Sequence, residues 1–282
     1  GEFFTPRHVV HLLVKILDPQ PGDEVVDPAC GSGGMLVETV NAVRAAGGNP
    51  DSLRLHGQEI NLTTSAIAKM NLYLHGLEDF QIRRGDTFRD PKFVERGRLK
   101  KFDVVIANPP FSLQNWGAAA WTNDPYGRAL CAVPPAKNGD YAWIQHMIAS
   151  MKETTGRVGV VMPHGVLFRG GKEGEIRQCL LEKDLLEAVI GLPNNLFCST
   201  SIPVCLLIWR KTKPADRERK VLFIDASARF KPGKNQNTMT DEDTEVIHAA
   251  YARGEDLDGD GGLHLRLVDI AEIESNGWDL NI

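Results

Sequence analysis

Glu24-Val25-Val26-Asp27-Pro28-Ala29-Cys30-Gly31-Ser32-Gly33-Gly34 opens as a strand, passes through a glycine loop and leads into Met35 to about Ala46, which reads as a helix. Strand, glycine loop and helix in that order make a nucleotide-type pocket at the carboxyl edge of an α/β sheet. Glycine lets the backbone approach a ligand closely, and the helix N-terminus behind it favours a carboxylate or phosphate. A glycine turn needed only for tight strand-to-helix packing has the same composition, so the surroundings decide. A dinucleotide fingerprint needs a third glycine at position 36, where the chain has Leu36, which disfavours NAD.

Outward from this loop the chain keeps alternating. Strand-like segments at about 53–59, near Ile82, at 103–107, 158–162, 186–191 and 204–209 are interleaved with helix-like segments at about 62–74 and 173–182. That pattern predicts a doubly wound, mostly parallel α/β sheet with helices on both faces. Upstream, Val10, Leu13, Val14 and Leu17 share one face of a helix from Arg7 to Leu17, with Thr5 read as N-cap and Pro6 as first helical residue. Residues 1–210 are therefore read as the principal domain, in which 1–20 form an N-terminal helical segment and Val204–Trp209 the last core strand. Residues 211–282 are read as an appendage of the same domain, with a strand at 221–225, a helix at 241–252 and a loop at 254–262. The Asp-Gly-Asp-Gly-Gly run in that loop lacks the ligand spacing and terminal Glu of a calcium site.

Composition narrows the classes further. With 42% hydrophobic and 24% charged residues, 282 residues support one large core. Five cysteines without a CxxC pattern argue for a reduced, cytoplasmic protein with neither a disulfide framework nor a metal site. No apolar run approaches the about 20 residues needed to cross a bilayer, so no membrane partner is expected. A net charge of −5 gives no overall electrostatic footprint for nucleic acid. Arg7, Arg83, Arg84, Arg89, Lys92, Arg96, Arg98, Lys100 and Lys101 are the cations a basic face would draw on, if they are not simply solvated charge.

Three further positions carry chemistry. Glu59, 32 residues after Asp27 at the end of the next strand, is placed to accept hydrogen bonds from both hydroxyls of a ribose. Asp86, in Gly85-Asp86-Thr87-Phe88, either binds a purine amino group or closes an Asx turn. The most specific feature is Asn108-Pro109-Pro110-Phe111, directly after the apolar strand at 103–107. Two prolines make a rigid projection, because each fixes φ and removes a donor. The Asn108 side-chain oxygen and the Pro109 carbonyl then converge as two acceptors on one NH2 group, with Phe111 as a flat apolar face beside them. Methylation of a nucleobase amino group needs this arrangement. The nitrogen lone pair is delocalised into the ring, two acceptors draw it towards a nucleophilic state, and an aromatic face holds a base swung out of the duplex.

Phe4-Thr5-Pro6, the loop Asp27 to Gly34, Glu59, Asp86 and Asn108 to Phe111 occur in the order used by amino-methylating DNA methyltransferases whose cofactor loop precedes the catalytic loop. More closely, the chain resembles the modification subunit of type I restriction-modification systems. The likeness continues through Met162-Pro163-His164-Gly165-Val166-Leu167-Phe168 and Ser201-Ile202-Pro203-Val204, up to about Trp209. The resemblance implies a Rossmann-like methyltransferase sheet and S-adenosyl-L-methionine as cofactor. It implies that Glu2, Phe3, Phe4, Thr5, Pro6 and Arg7 lie over the methionine end of that cofactor. Asp27, Ala29, Gly31, Ser32, Gly33 and Gly34 would form its loop, Glu59 would hold the ribose, and Asp86 and Asn108 would complete the pocket. Catalysis is implied at Asn108, Pro109, Pro110 and Phe111. Implied partners are duplex DNA with a flipped adenine, a DNA-specificity subunit and a restriction subunit. The resemblance also implies flanking helical regions, which are expected to be absent or truncated in this sequence.

The expected activity is site-specific transfer of methyl to adenine N6, in line and without a covalent enzyme intermediate, since position 110 is Pro110 and not Cys. Two alternatives stay open on the same motif. One changes the acceptor to a guanine of ribosomal RNA or a protein glutamine. The other is a cofactor-binding scaffold without activity of its own.

Overall fold

The alternation of strands and helices builds one ten-stranded sheet with a helical layer on each face, and a computed structural model of the chain describes residues 4–198 and 200–281. The first half runs α1 (Arg7–Leu17), β1 (Glu24–Asp27), α2 (Gly34–Ala45), β2 (Arg54–Glu59), α3 (Leu62–Leu74) and β3 (Phe80–Arg84). A two-stranded hairpin, β4 (Val94–Glu95) and β5 (Arg98–Leu99), precedes β6 (Val104–Ala107). There follow α4 (Ala118–Trp121), α5 (Asp140–Ala149), β7 (Arg157–Pro163), α6 (Gly165–Phe168), α7 (Gly171–Glu182), β8 (Leu186–Gly191) and β9 (Val204–Arg210). The chain ends through β10 (Lys220–Asp225), α8 (Asp241–Arg253), β11 (Leu257–Asp258), β12 (His264–Asp269) and α9 (Ile270–Ser275). No helix among the described residues is long and apolar enough to cross a membrane.

Strand order is β11-β12-β10-β8-β9-β7-β6-β1-β2-β3. The strands that flank the glycine loop and Asn108 are all parallel: β3 to β2, β2 to β1, β1 to β6 and β6 to β7. β9 is inserted antiparallel between β7 and β8, while β8 and β10 are again parallel. Side chains alternate between the two cores: Val104 and Ile106 pack with α1, α2, α3 and α8, whereas Val105 and Ala107 pack with α5, α7 and α9.

Several expectations are corrected. Val204–Trp209 is not the last core strand, because β10 extends the sheet with buried Val221, Leu222 and Ile224, and β12 and β11 follow it. The 254–262 loop contains the short β11. Thr5 does not cap α1: Pro6 occupies the N-cap, no side chain closes the helix end, and the Thr5 hydroxyl is used elsewhere. Nor are all the cysteines free, since Cys131 and Cys179 form a disulfide between the connection that precedes α5 and α7. α5 gave no amphipathic signal because all ten of its residues are buried, Asp140, Gln145 and His146 included, so no polar face marks its period.

Candidate active site

The order of the sheet reverses between β1 and β6: β2 and β3 follow on one side, β7 and later strands on the other. At such a switch point the connections leaving two neighbouring parallel strands diverge and leave a crevice at their carboxyl ends. The glycine loop leaves β1 there and Asn108 leaves β6. A cavity of about 570 Å³ opens between them, within the range of a small-molecule site.

Five pieces of chain bring the anticipated residues to this cavity. Phe4, Thr5 and Arg7 line it from the N-terminal segment. Asp27, Ala29, Gly31, Ser32 and Gly34 line it from β1 and its loop, Glu59 and Asp86 from the ends of β2 and β3, and Asn108 and Pro110 from the end of β6. Pro6, Gly33, Pro109 and Phe111 are outside its lining, and Glu2 and Phe3 fall outside the described residues. Gly33 has a packing role instead: it precedes α2 at φ +87°, a conformation suited to glycine, and a Cβ there would lie 3.5 Å from Ala68. Phe111 stands edge-on to Phe197, ring centroids 6.5 Å apart.

On the β1–β3 side, carboxylates fix the walls. Glu59 accepts from Gly31 N–H through Oε2 and from Asn61 N–H through Oε1, both at 3.0 Å, and so joins the glycine loop to the start of α3. Each oxygen keeps a lone pair for a further donor. Asp27 is buried and accepts from Ala29 N–H at 3.0 Å. Burial, with the negative charge of Glu59 adding to it, pushes its carboxyl up to about 8 against that hydrogen bond. Asp86 forms the Asx turn: Oδ1 accepts from Phe88 N–H at 2.9 Å and Arg89 N–H at 3.2 Å, while Oδ2 takes the Arg89 guanidinium at 2.7 Å.

On the β6 side, Asn108 is held by one hydrogen bond. Its Nδ2 donates to Thr5 Oγ1 at 2.7 Å, across 103 residues of sequence. Its Oδ1 is buried and has no donor. Among the described residues four buried side-chain polar atoms are orphaned in this way, and two of the four, Asn108 Oδ1 and Trp143 Nε1, belong to residues that line this one cavity. An unpaired buried polar atom costs about 1–3 kcal/mol, which a matching ligand group would relieve. The Thr5 bond also gives a prediction. Thr5→Val, nearly isosteric, removes the acceptor that fixes the Asn108 amide, and turnover should fall about three- to ten-fold for a neutral hydrogen bond of ~0.5–1.5 kcal/mol. Thr5→Ser should restore it with no change in melting temperature. Wild-type turnover in Thr5→Val would separate the N-terminal segment from the catalytic loop.

The N-6 DNA Methylase family model matches residues 1–282. The chain belongs to that family. It is 38% identical over 293 residues to the type I restriction enzyme MjaVII methylase subunit of Methanocaldococcus jannaschii, covering 100% of this chain and 48% of the relative. The solved methyltransferase subunit of a type I restriction-modification system from Streptococcus thermophilus is 36% identical, with a TM-score of 0.90 over 100% of this chain and 59% of that one. The type I restriction enzyme EcoKI M protein is 26% identical, with a TM-score of 0.77 over 99% of this chain and 65% of that one. The chain spans about half the length of the curated relatives it matches.

The residues of the cavity fit S-adenosylmethionine. A carboxylate at the end of β2, an open glycine loop at a helix start and two orphaned polar atoms share one cavity of suitable volume. Other contributors escaped the sequence reading. Gln58, buried beside Glu59, donates to Asp90 O and accepts from Lys92 N–H, bracing the segment that carries Asp86. Buried Arg128 donates to the carbonyls of Thr87 and Phe88 at 2.9 and 2.8 Å and pairs with Asp124 at 3.0 Å. Trp143 sits on α5. Only the sequence neighbourhood of Gln58 offered a signal; the others reach the site through tertiary packing.

Proposed function

We propose that this chain is the catalytic core of the modification subunit of a type I restriction-modification complex, and that it transfers a methyl group from S-adenosylmethionine to the exocyclic N6 of adenine in duplex DNA. The observation that carries the reading is the donorless, buried Asn108 Oδ1 at the switch point of the sheet. An amino group is the partner that this oxygen lacks.

When bound, S-adenosylmethionine supplies an electrophilic methyl group. Glu59 would hold its ribose, the glycine loop and the segment Phe4 to Arg7 its methionine end, and the Asp86 wall its base. All else falls to the chain. Asn108 Oδ1 and the Pro109 carbonyl accept the two N6 hydrogens and return electron density to the nitrogen as it attacks. Thr5 fixes the plane of the Asn108 amide. Phe111, backed by Phe197, offers its ring to a base swung out of the duplex. No covalent enzyme intermediate is required. The cysteine in the cavity wall, Cys30, is a poor nucleophile, because burial and the nearby carboxylates of Asp27 and Glu59 hold its thiol protonated.

Sequence selection is assigned to a DNA-specificity subunit and cleavage to a restriction subunit, with the cytoplasm as the place of action. In support, the chain has a net charge of −5 and its motifs leave no room for a base-reading module.

Phe111→Ala tests the extruded-base part. Transfer in the complete complex should fall by about 1–3 kcal/mol of lost stacking, roughly five- to 150-fold. The loss should shrink when the target adenine is mismatched, since a loosened base costs less to extrude. An equal loss on paired and mismatched targets would remove Phe111 from base capture.

A further inference from the structure

The carboxyl edge of the sheet is electrostatically divided. On the β1–β3 side, Asp27, Glu59, Asp86 and Asp90 stand at the strand ends and in the connection after β3. On the other side the connections leaving β6, β7, β8 and β10 are residues 108–139, 164–170, 192–203 and 226–240. At the chain's average density of Asp and Glu, about nine acidic residues would fall in them; there is one, Asp124, and it is bonded to buried Arg128. Asp225 at the end of β10 and Asp241 and Glu242 at the start of α8 border the last of these connections, so it is the connections themselves that are poor in negative charge.

The cations on that rim sort by whether they are already neutralised. Arg169 pairs with Asp140 and Glu173, and Arg229 with Asp243. Lys137, Lys231 and Lys234 are exposed and have no ion-pair partner among the described residues. Their placement brackets Phe111. Lys137 lies in a segment tied to the catalytic loop by Asn115 N–H to Ala136 O at 3.0 Å and Gly139 N–H to Leu113 O at 2.9 Å. Lys231 and Lys234 sit on the 226–240 loop. That loop holds 192–198 through Asn237 N–H to Asn195 O at 2.8 Å and Asn237 Nδ2 to Asn194 O at 2.9 Å, and Phe197 of the held segment backs Phe111. Of the cations anticipated between 83 and 101, Arg89, Lys92 and Lys100 pair with Asp86, Asp90 and the glutamates Glu24 and Glu95, and Arg83 and Arg84 belong to β3 at the far edge of the sheet.

We propose that Lys137, Lys231 and Lys234 are the phosphate-contacting rim of the DNA site, gripping the duplex backbone on both sides of the base presented to Asn108 and Phe111. The proposal rests on the reading of the chain as a DNA methyltransferase. It gives the 226–240 loop a function as an arm on the substrate. An acid-poor, lysine-bearing rim suits a polyanion, and each phosphate contact releases counterion, so such contacts are read in the salt dependence of binding.

The test is the full chain carrying Lys137→Gln, Lys231→Gln and Lys234→Gln, with a short duplex oligonucleotide as probe, by fluorescence anisotropy from low to physiological salt. The slope of log affinity against log salt should become shallower by about 2.7, roughly 0.9 for each lost contact. The Michaelis constant for DNA should rise while kcat in the complete complex holds. Lys183→Gln with Arg253→Gln, two exposed cations at the C-terminal ends of α7 and α8, should leave the slope unchanged. An unchanged slope in the triple variant, with adenine methylation by the wild type intact, overturns the rim and spares the catalytic reading. A wild-type chain that prefers a stem-loop RNA to the duplex and methylates no adenine overturns both.

Discussion

Asn108→Ala should lower methyl transfer by 10²–10³-fold while S-adenosylmethionine binds at close to wild-type affinity. The size of the effect is that of removing one preorganised polar group from a site that stabilises developing charge. Its selectivity follows from geometry. Asn108 Oδ1 has no partner in the folded chain, so on the proposed mechanism its hydrogen bond is made with the target amino group and strengthens as the nitrogen becomes tetrahedral. The proposed cofactor contacts are assigned instead to the ends of β1, β2 and β3, on the other side of the crevice, and to the segment Phe4 to Arg7. Removing Asn108 also orphans little else: its only side-chain hydrogen bond is to the Thr5 hydroxyl, which turns to water or to the ligand. The check is a single-turnover transfer assay at matched cofactor occupancy. Parallel losses of binding and rate would mean that the residue shapes the pocket and does not act on the amino group.

Glu59→Ala should weaken S-adenosylmethionine about 10- to 150-fold, the equivalent of ~1.5–3 kcal/mol for hydrogen bonds to a carboxylate. Two losses combine. The ribose loses its acceptors, and the N–H groups of Gly31 and Asn61, each 3.0 Å from a Glu59 oxygen, lose the group that sets the glycine loop against α3. Glu59→Gln, which keeps one acceptor oxygen, should fall between wild type and alanine. Calorimetry on the full chain checks the order, and wild-type affinity in the alanine variant would exclude Glu59 from the site.

What the sequence disclosed and what it hid have physical reasons. β6 is an uninterrupted apolar run and β1 and β7 have apolar centres because parallel strands are covered on both faces, and the loops that follow them are marked by glycine and proline, whose backbone restrictions are visible residue by residue. Asn108 to Phe111 was legible for the same reason: its chemistry is contiguous. The role of Thr5 was not, because a hydroxyl before a proline suits a helix cap as well as it suits an acceptor for an amide 103 residues away. α5 and Trp143 were hidden by complete burial. The Cys131–Cys179 pair was invisible because no local spacing relates two cysteines 48 residues apart. Asp86 was left between two readings, and its backbone partners now make it an Asx turn within the pocket wall. The acid-poor rim needed the strand order, since only the topology says which connections share an edge.

The account stands most directly on the identity of the methylated atom. The measurement is incubation of the complete complex with duplex DNA and S-adenosylmethionine carrying a labelled methyl group, followed by digestion to nucleosides. All label should be recovered as N6-methyladenine, and almost none with Asn108→Ala. Label on cytosine, on RNA or on protein, or equal labelling of adenine by Asn108→Ala, would contradict the assignment of Asn108 Oδ1 as the acceptor for adenine N6.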